Sequence, residues 1–232
     1  MIVYDRCNAF RFKIGLFQFS CKTKHFKKID ILLDIRYNII GIWRDFMIEL
    51  LFKKKYFYPD DYKKTVFDID FKILKTKNIK NIFIDLDNTL IPYDLTKPDK
   101  KTFELFDKLH DLDFEVFIIS NNRKDRVKQF ANMVRSRYVY SAQKPFKSGF
   151  RRALKKIGNP DPKSVCLIGD QFMTDVLGGK RMGFYVIVVD AIKRDNEKWY
   201  TKYNRKIEKK LLERLRRNDI EFYERLKLHE KR

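Results

Sequence analysis

The run Ile82-Phe83-Ile84-Asp85-Leu86-Asp87-Asn88-Thr89-Leu90 leads an apolar stretch straight into two carboxylates two residues apart. A short unbroken apolar run of this kind predicts a strand buried on both faces. A buried strand that ends in paired acids calls for a cation, because an isolated carboxylate is strongly disfavoured away from water. Read alone, the pair also fits a turn in which Asp87 and Asn88 cap a helix. What surrounds it decides. Strand-like runs at 81–85, 114–120, 137–140, 164–169 and 184–190 alternate with amphipathic stretches at 100–111, 124–135, 147–157 and 172–180. Gly158 and Pro160 end the third of these helices, and Gly183 precedes the last strand. That alternation predicts an α/β fold with a parallel sheet flanked by helices.

In an open parallel sheet, ligands bind beyond the carboxyl ends of the strands. Asp85, Ser120 and Asp170 each stand at such an end, so three strands deliver oxygen ligands to one edge. In chain order the polar residues read Asp85-x-Asp87-x-Thr89, then Ser120, then Lys144-Pro145, then Gly169-Asp170 with Thr174-Asp175 beyond. These four ordered motifs resemble the haloacid dehalogenase (HAD) phosphatase superfamily, which implies a HAD-like Rossmannoid sheet. Further runs narrow the resemblance: Tyr58-Pro59-Asp60 leading to Phe67-Asp68-Ile69, Ser120-Asn121-Asn122, Gly169-Asp170-Gln171, Thr174-Asp175-Val176-Leu177-Gly178-Gly179 and Tyr203-Asn204-Arg205-Lys206-Ile207-Glu208. They look like the YqeG-type branch of subclass IIIA, related to the mitochondrial phosphatidylglycerophosphate phosphatases. The likeness spans about residues 47–212.

The resemblance implies a chemistry. Asp85 would be the nucleophile, forming an aspartyl-phosphate. Asp87 would protonate the departing alkoxide and then activate water. One Mg²⁺ would bind Asp85, the Asp87 backbone carbonyl and Asp170, and would let an anionic nucleophile approach an anionic phosphate. Ser120 and the backbone N–H groups near Leu86 and Asn121 would hold phosphate oxygens. Lys144 would neutralise the crowded charges, and Asp175 would orient the site or reach the metal through water. Gly178 and Gly179 suit close packing. His25, His110 and His229 match no catalytic position.

Spacing bears on the substrate. Between Asp85 and Ser120 lie 34 residues, and between Ser120 and Lys144 lie 23. Strands and helices already fill both intervals, so a capless, open site is expected. Such a site suits a phosphate on something large: a lipid surface, a protein or a nucleic-acid end. The family points to phosphatidylglycerophosphate, an anionic phospholipid, and to peripheral membrane association. The alternative is a soluble HAD phosphatase acting on a nucleotide, a sugar phosphate or a polynucleotide end. Phe52-Lys53-Lys54-Lys55-Tyr56-Phe57-Tyr58 fits an anionic interface, and equally a first helix packed on the sheet with its lysines in water. The Asn204-Arg205-Lys206 cluster is open to phosphate, lipid or water.

The chain has 232 residues and a net charge of +21. The length suffices for one α/β domain with appendages. The charge fits an anionic partner, and it also fits a general bias toward Lys, Ile, Phe and Tyr. No nucleic-acid motif accompanies it. Cys7, Cys21 and Cys166 form no CxxC pair, which fits a reducing cytosol without a disulfide framework or zinc site. The stretch 31–52 carries five charges, each costing about 2.5–3.5 kcal/mol at a bilayer centre against gains of about 0.3–0.6 per large apolar residue. It is not expected to span; a cytoplasmic protein, at the inner membrane face if lipid-directed, is the expectation. Three segments result: 1–46, of unknown role; 47–200, the phosphatase domain; and 201–232, a basic helical segment with Ile207, Leu211 and Leu215 on one stripe. Met47 stands where the resemblance begins, giving the expectation that translation starts there. N-terminal sequencing that found residues 1–46 in the native protein would remove it.

Overall fold

The computed structural model describes residues 53–195, 197 and 199–231. The expectations for residues 1–46 and for the stretch 31–52 therefore lie outside the described residues. Six parallel strands form one sheet: β1 (Asp61–Lys63), β2 (Asn81–Ile84), β3 (Glu115–Ile119), β4 (Arg137–Val139), β5 (Val165–Gly169) and β6 (Tyr185–Val189), in the order β1-β6-β5-β2-β3-β4. The helices are α1 (Phe71–Thr76), α2 (Lys100–Asp111), α3 (Lys124–Met133), α4 (Lys147–Lys156), α5 (Leu177–Met182), α6 (Trp199–Asn218) and α7 (Ile220–Arg225).

Strand alternation sorts the core into two layers. Phe83, Phe117, Leu167 and Val186 face one side, where α4, α5, α6 and α7 supply Phe150, Leu177, Leu211 and Phe222. Ile82, Ile84, Ile118 and Cys166 face the other, against Phe71 of α1, Phe106 of α2 and Phe130 of α3. Both faces are covered, which is why the strands read as continuous apolar runs rather than alternating ones. Cys166 is a buried free thiol.

Local signals place several helices. Asp70, Asp99 and Asp219 cap α1, α2 and α7, accepting from the N–H groups of Lys72, Thr102 and Phe222 at 2.9, 2.8 and 3.0 Å. Gly183, at φ 82°, ends α5 in the left-handed conformation. β1 and α1 went unread in the sequence. β1 is a three-residue edge strand with only Tyr62 buried, too short to show a period. The helix expected over 172–180 instead opens with a π-helical turn, Phe172–Val176, before α5.

The intervals after β2 and β3 hold loops, helices and strands but no inserted domain. The expected charged C-terminal helices are α6 and α7. Ile207, Leu211 and Leu215 are buried along α6, so the stripe packs on the same core as the sheet. Among the described residues, no helix is long and apolar enough to cross a membrane.

Candidate active site

Register brings the functional residues to one level. Ile84 lies beside Ile118 and Ile168 in the sheet, so the strands end nearly together. The N–H of Asp85 donates to the Ile168 carbonyl at 2.9 Å, and that of Ser120 to the Val139 carbonyl at 3.0 Å. Asp170 follows the last residue of β5. Lys144 arrives from the loop after β4, where the Asn121 side chain brackets its backbone. Asn121 Oδ1 accepts from the Lys144 N–H at 2.7 Å, and Asn121 Nδ2 donates to the Lys144 carbonyl at 3.1 Å.

Lys144 Nζ donates to Asp85 Oδ1 at 2.6 Å and to Asp175 Oδ1 at 2.7 Å. Oxygens of Asp85, Asp170 and Asp175 lie within 4.8 Å of one another, and all three residues are buried. Asp87 stands apart from this group. Its carboxylate accepts from Arg126 Nε at 2.8 Å, Asn122 Nδ2 at 3.1 Å and Ser120 Oγ at 3.3 Å. Six residues singled out in the sequence thus meet at the carboxyl edge of the sheet, with the Asn121 side chain holding the Lys144 backbone.

Both oxygens of Asp175 are engaged by protein donors. Oδ2 accepts from the Gln171 N–H at 3.2 Å and from Thr174 Oγ1 at 3.1 Å, a pattern the wide turn at 172–176 permits. The aspartate also explains the glycine before Asp170: a Cβ on Gly169 would lie 2.3 Å from Asp175 Cγ. Gly169→Ala should therefore displace Asp175 and lower stability by about 1–3 kcal/mol. Equilibrium urea unfolding of the two proteins measures this, and an unchanged midpoint would refute the close approach. Gly178 and Gly179 serve packing as expected, since added Cβ atoms would meet Phe150 and Val186 at 2.7 Å.

The electrostatics are short of positive charge. Burial holds the Asp85 carboxyl well above the usual range; Lys144 opposes this, and Asp175, Asp170 and Asp87 add to it. Burial likewise raises Asp175, with Lys144 opposing and Asp170 adding. Burial works against the Lys144 ammonium, yet Asp175 and Asp85 together hold its pKa above the ordinary lysine value. Buried, converging hard oxygen donors with little positive charge beside them fit a divalent metal ion.

Sequence reasoning did not find Arg126, and it named Thr89 and Arg205 without their partners. Arg126 grips Asp87, and Thr89 Oγ1 lies 3.3 Å from Asp170 Oδ1. Arg205 turns inward from α6 to pair with Asp170, Glu197 and Glu208. Of its neighbours in the 204–206 cluster, Asn204 reaches Gln171 at 3.5 Å and Lys206 is exposed. In the basic-aromatic run before β1, Phe57 is buried and the Tyr58 ring lies 4.6 Å from that of Phe222, while Lys53, Lys54 and Lys55 are exposed. These two aromatics belong to the core, and Phe52 lies outside the described residues.

Comparison with known proteins places this site in a family. Residues 44–193 match the family model described as "Mitochondrial PGP phosphatase". The chain is 37% identical over 164 residues to the "Probable phosphatase YqeG" of Bacillus subtilis, covering 71% of this chain and 94% of that one. It is 25% identical over 195 residues to "Phosphatidylglycerophosphate phosphatase 1, chloroplastic/mitochondrial" of Arabidopsis thaliana. That match covers 80% of this chain and 55% of the relative's length. Among solved structures, the cobalt-bound deoxy-D-mannose-octulosonate 8-phosphate phosphatase YrbI of Haemophilus influenzae aligns with a TM-score of 0.41 and 15% identity, over 60% of this chain and 90% of its own. The chain belongs to the mitochondrial PGP phosphatase family and is a phosphatase.

Proposed function

We propose that the protein hydrolyses a phosphate monoester through an aspartyl-phosphate on Asp85, and that its substrate is phosphatidylglycerophosphate presented at a lipid surface. The observation that carries the chemistry is Lys144 bridging two buried carboxylates beside Asp170. An oxygen of Asp85 attacks phosphorus as the ester P–O bond breaks, and Asp87 gives its proton to the departing alkoxide. Asp87 then takes a proton from water, whose oxygen attacks phosphorus, breaking the bond to Asp85 and releasing phosphate. Ser120 and the backbone N–H of Asn121 hold phosphate oxygens, and Lys144 balances their charge. A Mg²⁺ held by Asp85, Asp170 and the Asp87 carbonyl would neutralise the meeting anions. Asp175, with both oxygens engaged, orients Lys144 rather than binding the ion directly.

The substrate reading draws on the Arabidopsis relative and the family description. The shape of the site edge supports it. Among the described residues eight large apolar side chains are exposed, and six of them (Phe67, Leu95, Phe103, Phe146, Ile192 and Trp199) lie in loops or first helical turns beyond the strands' carboxyl ends. Lys97, Arg194 and Lys202 are exposed in the same segments, and Arg123 in the loop after β3. An apolar edge mixed with cations suits an anionic bilayer, and it borders an open site.

Purified protein should turn over phosphatidylglycerophosphate in mixed micelles faster than any nucleotide, sugar phosphate or polynucleotide end. Chelation should abolish that activity, and Mg²⁺ should restore it. Faster hydrolysis of a soluble ester would overturn the lipid assignment and leave the chemistry standing, whereas activity in excess chelator would overturn the metal.

A further inference from the structure

Asp170 is held from outside the sheet. It sits one residue past β5, where no strand partner fixes its orientation, yet both its side chain and its carbonyl are engaged by the C-terminal segment. Arg205 Nη2 pairs with the Asp170 carboxylate, and Arg205 Nη1 donates to the Asp170 carbonyl at 2.9 Å. Lys231 Nζ donates to the same carbonyl at 3.2 Å and to the Val189 carbonyl at 2.7 Å.

The guanidinium is itself gripped. Arg205 Nη2 and Nε lie 2.9 and 3.2 Å from Glu197 Oε1, and Nη1 lies 3.1 Å from Glu208 Oε2. Glu197 accepts in turn from Asn88 Nδ2 at 3.2 Å, which ties it to the loop carrying Asp85 and Asp87. Glu208 pairs with Lys231 at 3.3 Å. Only 9% of the Arg205 side chain is exposed, and all three of its nitrogens donate.

We infer that Arg205 is a positioning residue for Asp170, and that the C-terminal segment finishes a metal site whose flanking intervals after β2 and β3 carry no cap domain. Each contact has a geometric consequence. The guanidinium takes Asp170 Oδ2 and fixes the main chain through the carbonyl, while Thr89 meets Oδ1. Held at both oxygens and at the backbone, the carboxylate is kept among Asp85 and Asp175. A planar fork with fixed donor directions does this; an ammonium at the same place cannot bond two groups of Asp170 and two glutamates together.

The inference rests on Asp170 being a metal ligand, so its test reads metal binding directly. Mn²⁺ is titrated into the full-length protein without substrate, and free Mn²⁺ is followed by electron paramagnetic resonance. Arg205→Lys keeps the charge, which holds the Coulomb contribution nearly constant and isolates geometry. It should weaken Mn²⁺ binding about 10- to 100-fold, the usual effect of losing a partner behind a metal ligand. Activity lost at low Mg²⁺ should return at high Mg²⁺, a recovery that a merely structural lesion would not show. Should that variant fail to fold, Glu208→Gln keeps the guanidinium but frees one anchor, and should loosen Mn²⁺ several-fold. A Kd within twofold of wild type, or a tighter one, in the folded variant overturns the inference alone. Absence of Mn²⁺ binding by the wild-type protein overturns the metal reading together with it.

Discussion

Asp85→Asn is expected to reduce turnover by about 10⁴- to 10⁶-fold, the scale on which loss of a covalent nucleophile acts. An amide oxygen is too weak a nucleophile to displace the ester oxygen from phosphorus. The same change should leave the metal-free protein at least as heat-stable as wild type. Burial and three neighbouring acids hold the Asp85 carboxyl above its ordinary value, so its ionised form is disfavoured in the fold. The sign follows from proton linkage. A carboxyl raised in the native state binds its proton there when the unfolded chain has lost it, so its contribution is full below the unfolded pKa, about 3.9. That contribution is lost as pH rises through the folded value. In chelator, wild-type stability should therefore fall with rising pH above about 4, and Asp85→Asn should flatten the slope. Calorimetric melts across pH, paired with single-turnover assays, check both halves. Retained turnover would refute the covalent route, and a large drop in melting temperature would refute the charge analysis.

Lys144→Met should produce the largest loss of stability. The ammonium is 2% exposed and bridges Asp85 and Asp175. Methionine fills the same channel but leaves two buried carboxylates without their shared cation. Breaking a buried ion pair from one side costs about 3–5 kcal/mol. For a domain of this size that corresponds to a fall in melting temperature on the order of 10 °C in chelator. Lowering the pH should recover part of it, because protonation removes the uncompensated charge. Mg²⁺ should recover part as well, since a divalent ion replaces the lost positive charge. Both recoveries are measurable by thermal melts of one purified variant. A variant as stable as wild type would show that Lys144 does not hold the cluster together.

Much of the site was legible along the chain because each strand announces its own end. The apolar run closing on Asp85, the run closing on Ser120 and the run closing on Gly169-Asp170 are local facts, and parallel topology alone sends their ends to one edge. Lys144 is harder to read, being one of 52 basic residues. It stood out only because Pro145 and the order of motifs resembled a family. The sequence singled out the backbone N–H near Asn121, whereas its side chain brackets the Lys144 backbone, a pairing that no local pattern records.

Arg205 shows where such reading stops. In sequence it lies 35 residues from Asp170, within a basic helix whose lysines are exposed. Helical spacing placed Ile207, Leu211 and Leu215 on a buried stripe, but it could not say which end of the sheet the helix would start from. Packing of that stripe against the core sets the start at the carboxyl edge and delivers Arg205 to Asp170. The aromatics of the run before β1 were ambiguous for a related reason. An aromatic beside lysines reads the same whether it meets lipid or a helix, and Phe57 and Tyr58 meet the core because α6 and α7 fold over them.

The sequence by itself determined the parallel α/β sheet, the lack of room for a cap between Asp85 and Lys144, and the acids and serine at the strand ends, because these follow from short-range periodicity and from chain order. Only the tertiary structure decided which cations enter the site and which carboxylates they hold. Those pairings join segments far apart in the chain, and burial away from water, which no local pattern records, is what makes them strong.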